Sequence, residues 1–549
     1  MRKSSPIVAF TSRILCAAMI LTCALIHAQT SSARTVPVPP PPMGWSSWNS
    51  FSNTVDSQII MEQAKAMVAS GMQKAGYQYI NIDEGWWLGK RNSDGAFVID
   101  EKSWPALKEG ERAGDMANIV RFIHGLGLKA GIYTDAGSNG CSMFPDLGPV
   151  YMNVGSEGHY EQDFLQFARW GFDYVKVDWC GGNKENLDPA VQYAEIARAI
   201  ARAEKLTGHS VYYSICNWGK DSPWTWAPHV GGVAADIWRT SGDIVDPIVA
   251  SGKNSGRKAG FDKMLGNFDQ GIHPEAQHTG FYNDPDMMVL GMPGFSDAQN
   301  RAHMSLWAMS GAPLLVGADL AKLSPETLAT LTNPAVLAID QDALGLQAVK
   351  VSEPEKGLQV WAKPLSAAGT RAVLLLNRTT TPSNFTVSLK DVGLGDSAIA
   401  QDLWSGKDLG AVQGSYASQV PPSEAVLLLV KGKDLPSNTY RPESVFGTDK
   451  GRPCKGCELT FSHVASHFPW AQIRIVYTNP DKEARFAELR VNGLIATRIA
   501  FPPTGSKPGE VSVMSLLTEP NAGNVLRFAA DHSSAEVNDP PAIQSIAVQ

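Results

Sequence analysis

Residues 174–180, Tyr174-Val175-Lys176-Val177-Asp178-Trp179-Cys180, read as one short strand that ends on an acid. Two valines suit the pleat, and Asp178 stands where the apolar run stops. A second stretch about sixty residues on, Trp238-Arg239-Thr240-Ser241-Gly242-Asp243, has the same build. Each acid follows a basic residue, Lys176 or Arg239. A carboxylate at the C-terminal end of a buried parallel strand is where a β/α barrel builds its active face.

Working outward, Met43 to about Asp342 alternates short β-branched runs with longer amphipathic segments, the signature of β/α units. Eight strands are predicted: Met43 to Trp48, Tyr77 to Asp83, Lys129 to Asp135, Tyr174 to Asp178, Ser210 to Cys216, Ile237 to Asp243, one near Asp286 to Leu290, and Ala312 to Gly317. Helices are predicted over Asp56 to Lys74, Asp115 to His124, Tyr160 to Trp170, Pro189 to Leu206 and Asp297 to Met309. No GxGxxG opens a helix after the first strand, which weighs against a dinucleotide fold. The expected fold class is α/β, a (β/α)8 TIM barrel over 42–342. Beyond it the spacing changes to short alternating runs. An antiparallel β-sandwich is expected over 343–432, then a linker and a second, C-terminal β-sandwich-like module over 433–549.

A chain of 549 residues with 44% hydrophobic and 18% charged residues can bury several cores, and a net charge of −7 argues against a nucleic-acid partner. Arg2 and Lys3 precede a mostly apolar stretch from Ile7 to Ile26, with Ala28 as the cleavage edge. This reads as a signal peptide over 1–28 and a linker over 29–41, hence a secreted or periplasmic protein with no membrane span. Export permits disulfides among Cys141, Cys180, Cys216, Cys454 and Cys457, an odd number that leaves at least one unpaired. Cys454 and Cys457 have half of a zinc shell and no second half, so a local disulfide or two loop thiols is expected there.

Acids recur at the predicted strand ends: Asp83, Glu84, Asp135, Asp178, Asp243, Asp284 and Asp286. Twelve of the fifteen tryptophans lie in the barrel region, and Trp48, Trp86, Trp87, Trp179, Trp218 and Trp238 sit beside or near these acids. Indoles stack on the C–H faces of sugars while carboxylates take hydroxyls, so a carbohydrate is the expected ligand. Two carboxyls facing one pocket are what glycoside hydrolysis requires.

Five motifs then align with one family: Met43-Gly44-Trp45-Ser46-Ser47-Trp48-Asn49-Ser50-Phe51, Asn81-Ile82-Asp83-Glu84-Gly85-Trp86, Gly131-Ile132-Tyr133-Thr134-Asp135, Lys176-Val177-Asp178 and Asn283-Asp284-Pro285-Asp286-Met287. Through them the chain resembles the retaining α-galactosidases of glycoside hydrolase family 27, from Pro42 to the end of the first β domain. The resemblance implies Asp178 as nucleophile and Asp243 as general acid and base. It implies a sugar pocket lined by Trp48, Asp83, Glu84, Tyr133, Lys176, Arg239 and Asp286, and a disulfide between Cys141 and Cys180, whose alternative is a pair of buried thiols. Cys216 would then be a buried free thiol. The chemistry needs no metal and no organic cofactor, and double displacement calls for carboxyls about 5–5.5 Å apart.

Two positions depart from the family pattern. Glu84 stands where a second aspartate is usual, and its extra methylene is expected to crowd the C6 hydroxymethyl of galactose. β-L-Arabinopyranose has the same ring stereochemistry without that group, and the family includes β-L-arabinopyranosidases with Glu at this place. A methylene is worth only about 1–3 kcal/mol, enough to tilt a preference. Asn217 stands where glutamate is common near the 2-hydroxyl, and its amide can donate or accept. The expected partners are galactose- or arabinopyranose-containing glycans. A non-catalytic carbohydrate-binding protein on a decayed barrel is a remote alternative, opposed by retention of both Asp178 and Asp243. Tyr477-Thr478-Asn479 and Arg490-Val491-Asn492-Gly493 give the C-terminal segment a faint likeness to carbohydrate-binding sandwiches of family 6 or 35; a structural cover for the barrel is the alternative.

Overall fold

Eight short strands form one parallel sheet: β1 (Met43–Ser46), β2 (Tyr79–Ile82), β3 (Lys129–Asp135), β4 (Tyr174–Asp178), β5 (Tyr212–Cys216), β6 (Ile237–Arg239), β7 (Tyr282–Asp284) and β8 (Leu314–Val316). Their order is β7-β6-β5-β4-β3-β2-β1-β8. The ring closes through Met288, which bridges to Val316; its N–H donates to Leu315 O at 2.7 Å and its carbonyl accepts from Gly317 N–H at 2.9 Å. This computed structural model describes residues 40–145, 150–228, 235–245, 260–278, 280–445, 458–482, 484–519, 523–530 and 540–549. The expected signal peptide, nearly all of the expected linker over 29–41, and the Cys454 and Cys457 pair lie outside the described residues.

The seventh strand is not where periodicity put it. It is Tyr282–Asp284, and 286–290 is the closing turn. Asn283 and Asp284 are buried strand residues, and Asn283 Oδ1 accepts from the Trp238 indole N–H at 2.9 Å, so polar side chains disguise the run. Asp286 then takes φ 107°, a conformation no strand residue adopts. The sixth strand is likewise shorter than expected, leaving Thr240 to Asp243 free to turn over the barrel mouth.

Tyr79, Tyr174, Tyr212 and Tyr282 fill the barrel interior with Trp48, Ile237, Met287 and Leu315, and the Tyr174 and Tyr212 rings stack at 5.7 Å. The helices Ser57–Ala69, Tyr160–Trp170, Pro189–Thr207 and Asp297–Ser310 match the amphipathic segments. Asp56, Asp188 and Ser296 cap three of them through side-chain oxygens that accept from the backbone three residues on.

Between Val349 and Asp434 the chain builds antiparallel sheets of six and two strands, and between Asn438 and Val548 sheets of four and five. In the strand Trp470–Thr478, Ala471, Ile473, Ile475 and Tyr477 point inward in strict alternation. This last module is fastened to the barrel. Arg498 donates to Pro228 O from a fully buried position, and Ala500 N–H donates to His278 Nε2 at 3.3 Å. Among the described residues no helix is long and apolar enough to cross a membrane.

Candidate active site

The alternation of β4 puts Lys176 and Asp178 on one side of the strand, and both reach the barrel mouth. Lys176 Nζ lies 2.9 Å from Asp83 Oδ2 and 3.7 Å from Asp178 Oδ2, and 5.2 Å from the Tyr133 ring centre. Asp178 Oδ1 accepts from Trp179 N–H at 2.9 Å. Burial pushes the Asp178 carboxyl up, and neither Lys176 nor the Trp179 N–H fully offsets it, so it comes to about 6. Burial alone would lower Lys176, but Asp83 and the neighbouring acids outweigh it and hold the ammonium charged.

Arg239, at the end of β6, is the second cation. Its Nη1 lies 2.8 Å from Asp286 Oδ1, and its Nη2 donates to Asp243 Oδ1 at 3.1 Å and to Ser241 O at 3.0 Å. Asp286 Oδ2 accepts from Ile244 N–H at 2.7 Å, so one carboxylate ties Arg239 to the turn that carries Asp243. Burial raises Asp286 to about 7 despite Arg239. Asp243 differs from the rest: its side chain is 27% exposed. Asp83, Lys176, Arg239 and Asp286 surround one cavity of about 20 Å³, room for a single water beneath the mouth.

Glu84 is fully buried. Its extra methylene carries Oε1 to the loop after β3, where Ser142 donates to it from N–H at 2.9 Å and from Oγ at 2.7 Å. Oε2 has no protein partner among the described residues. Burial raises this carboxyl to about 8, with Asp178 and Asp83 adding to the shift and Ser142 opposing it. Asn217 is also fully buried; its Nδ2 donates to Lys220 O at 2.6 Å while Oδ1 has no protein partner. One of its two N–H donors is thus engaged, while among the described residues Oδ1 is an open acceptor.

Cys141 and Cys180 form a disulfide, with Cα atoms 5.0 Å apart, that joins the loops after β3 and β4. Cys141 Sγ lies 3.7 Å from Asp178 Oδ2 and 3.6 Å from the Tyr133 hydroxyl. Cys216 is a buried free thiol to which Arg239 Nη1 donates at 3.7 Å. Asp135 is another buried acid of this rim: its Oδ1 accepts from Gly137, Gly181 and Gly182 N–H groups, stitching the same two loops together.

The tryptophans are mostly not sugar platforms. Trp86, Trp87, Trp179 and Trp238 are wholly enclosed, and Trp86 packs edge-on against Phe97, Phe167 and Trp170. Adjacency to acids in sequence reflects strand ends, where one residue turns into the mouth and its neighbour into the helical layer. Trp48, nearly buried, stays with the barrel interior, and Trp218 is half-buried. Ser142 is a contact that sequence reasoning missed, since it lies in a single 3-10 turn, Cys141–Met143, too short to show a periodicity.

A parallel barrel whose rim gathers acids around two cations has the build of a glycoside hydrolase. Residues 40–342 match the family model described as Alpha galactosidase A, 355–430 the Alpha galactosidase C-terminal beta sandwich domain, and 459–542 the Alpha-galactosidase CBM13 domain. An alpha-galactosidase of Oryza sativa subsp. japonica is 37% identical over 393 residues, 71% of this chain and 84% of that protein. The crystal structure of alpha-galactosidase I from Mortierella vinacea superposes with a TM-score of 0.61 at 27% identity, over 72% of this chain and 98% of that one. A family 27 β-L-arabinopyranosidase from Geobacillus stearothermophilus shares the fold, with a TM-score of 0.60 at 23% identity over 72% and 98% of the two chains. The chain belongs to the α-galactosidase family.

Proposed function

We propose that this protein is an exo-acting, retaining glycosidase that removes terminal α-D-galactosyl residues by double displacement. The observation that carries this reading is the asymmetry of the two acids. Asp178 is enclosed beside Lys176 and the disulfide, whereas Asp243 stands partly exposed at the mouth, held by Arg239. A nucleophile belongs under the sugar, and a proton donor belongs where the leaving group departs and water arrives.

In the first step the Asp178 carboxylate attacks the anomeric carbon as the glycosidic C–O bond breaks, and Asp243 gives its proton to the leaving oxygen. In the second, Asp243 takes a proton from water, the resulting hydroxide attacks the anomeric carbon, and Asp178 is released as carboxylate. Asp83, Tyr133, Lys176, Asn217, Arg239 and Asp286, with Trp48, hold and surround the sugar. The residues used are all of this chain. Exported by its N-terminal segment, the enzyme would meet galactose-containing glycans outside the cytoplasm.

β-L-Arabinopyranosidase activity is the second reading, favoured by Glu84, whose longer side chain is anchored on Ser142. Rates on p-nitrophenyl α-D-galactopyranoside and p-nitrophenyl β-L-arabinopyranoside, for wild type and Glu84→Asp, separate the two. Shortening Glu84 is expected to raise the galactoside-to-arabinoside ratio of kcat/KM by about tenfold, the worth of a methylene. An unchanged ratio removes Glu84 from the specificity argument, and no turnover of either substrate by wild type sinks the glycosidase reading.

A further inference from the structure

A cavity of about 240 Å³ opens where the first sandwich meets the C-terminal module, and none of its lining residues belongs to the barrel. Lys350 and Arg371 face it from one module, Phe468, Trp470, Gln472 and Met514 from the other. Its walls are set. Leu346, Val349 and Met514 form a small buried cluster against which Val351 and Trp470 pack. Arg371 pins the seam, donating to Asp434 Oδ1 at 2.8 Å, Gln549 Oε1 at 3.0 Å, Val392 O at 3.0 Å and Thr370 O at 3.0 Å.

That commitment decides the charge of any ligand. With Arg371 engaged by these acceptors and Lys350 paired to Glu353, neither cation of the lining is left to attract an anion. The one acid of the lining, Asp391, further disfavours an anion, and beside it two neutral groups are left. The Trp470 indole N–H and Gln472 Oε1 have no protein partner among the described residues, while Gln472 Nε2 donates to Ser512 Oγ at 3.3 Å. An indole, a phenyl ring, one free donor and one free acceptor match a pyranose, which offers C–H faces to rings and hydroxyls to both polar groups. The volume lies below the roughly 300–1,000 Å³ of sites for drug-sized ligands, so it suits one ring and not a chain.

We propose that this seam cavity is an accessory site for a single neutral pyranosyl unit of a glycan, separate from the barrel mouth. It holds the polymer while the barrel trims it, and so rests on the reading of the protein as a glycan hydrolase. The test is affinity electrophoresis through gels containing soluble galactomannan, with every variant made in an Asp178→Asn background so that the polymer is not digested. Trp470→Ala is expected to weaken retention about tenfold and Gln472→Ala about fivefold. In the otherwise wild-type chain both should keep kcat/KM on p-nitrophenyl α-D-galactopyranoside within about twofold. Gln472→Ala removes only a partly exposed amide and guards against a folding artefact of Trp470→Ala. Retention that both variants leave unchanged overturns the proposal, as does the absence of retention in the Asp178→Asn protein itself. Loss of aryl-galactoside turnover in the wild type would instead strike the function proposed above and leave the gel result readable.

Discussion

The barrel mouth and the C-terminal module bury opposite kinds of side chain. At the mouth, Asp83, Glu84, Asp135, Asp178, Arg239, Asp284 and Asp286 are all buried, each at 6% exposure or less. The module's core is Leu459, Phe461, Ile473, Leu489, Phe528 and their apolar neighbours, and its buried cation, Arg498, serves the joint with the barrel. Burying an ionised group costs several kcal/mol unless it is paired, and burying an apolar one is favourable by about 1.5–3 kcal/mol. The module therefore follows the rule that makes folds stable, and the mouth breaks it. Where a chain concentrates such exceptions, the charges are there for chemistry; their raised carboxyls, about 6 for Asp178 and about 7 for Asp286, record the strain.

The contrast breaks most visibly if the enclosed acid proves dispensable. Asp178→Asn keeps the shape and the Trp179 N–H contact but removes the nucleophile, so kcat on p-nitrophenyl α-D-galactopyranoside should fall by about 10⁴-fold or more. Substantial residual turnover would dismiss Asp178 from that role. Asp243→Asn should lower kcat by about 10²–10⁴-fold on galactosides with alkoxide leaving groups, and far less on activated aryl galactosides, which leave without a proton. Equal losses on both would mean that Asp243 does not act as the acid. A smaller effect comes from pH. With its carboxyl near 6, Asp178 is protonated below that value, so kcat/KM should fall about tenfold per pH unit on the acid side of 6 and level off above it. An acid limb centred near 4 would show that Lys176 offsets burial more fully than the geometry indicates.

Most of the barrel could be read directly from the chain, because strands such as β3 and β4 carry β-branched residues and end in acids. The strand Tyr282–Asp284 could not, since two of its three residues are polar and the partner of Asn283 is an indole N–H 45 residues away in sequence, at Trp238. Periodicity sees one residue's class and not its partner. The same blindness made platforms of Trp86 and Trp179, which the helical layer encloses. The positions of the acids were legible as strand ends, whereas the Cys141–Cys180 bridge came only from family likeness. Which way Glu84 turns depended on Ser142, in a 3-10 turn 58 positions on.

Glu84 offers the finest test, because it asks whether a buried acid at the mouth is neutral, as the apolar core of the module is. The ordinary glutamate value is 4.5, and burial lifts Glu84 to about 8. Between those values the folded protein holds a proton that the unfolded chain has lost, so stability falls as pH rises across that window. The contribution is fully present below 4.5 and gone above 8. Glu84→Gln keeps an oxygen for the two Ser142 bonds and places an N–H₂ where the protonated Oε2 stood, without any titration. The melting temperature of the variant should therefore match wild type near pH 4.5 and exceed it by roughly 2 °C or more at pH 8.5. A difference that stays constant from pH 4.5 to 8.5 would mean that Glu84 does not change its proton affinity on folding, and the unpartnered Oε2 would then belong to a carboxylate whose charge is offset from elsewhere in the mouth.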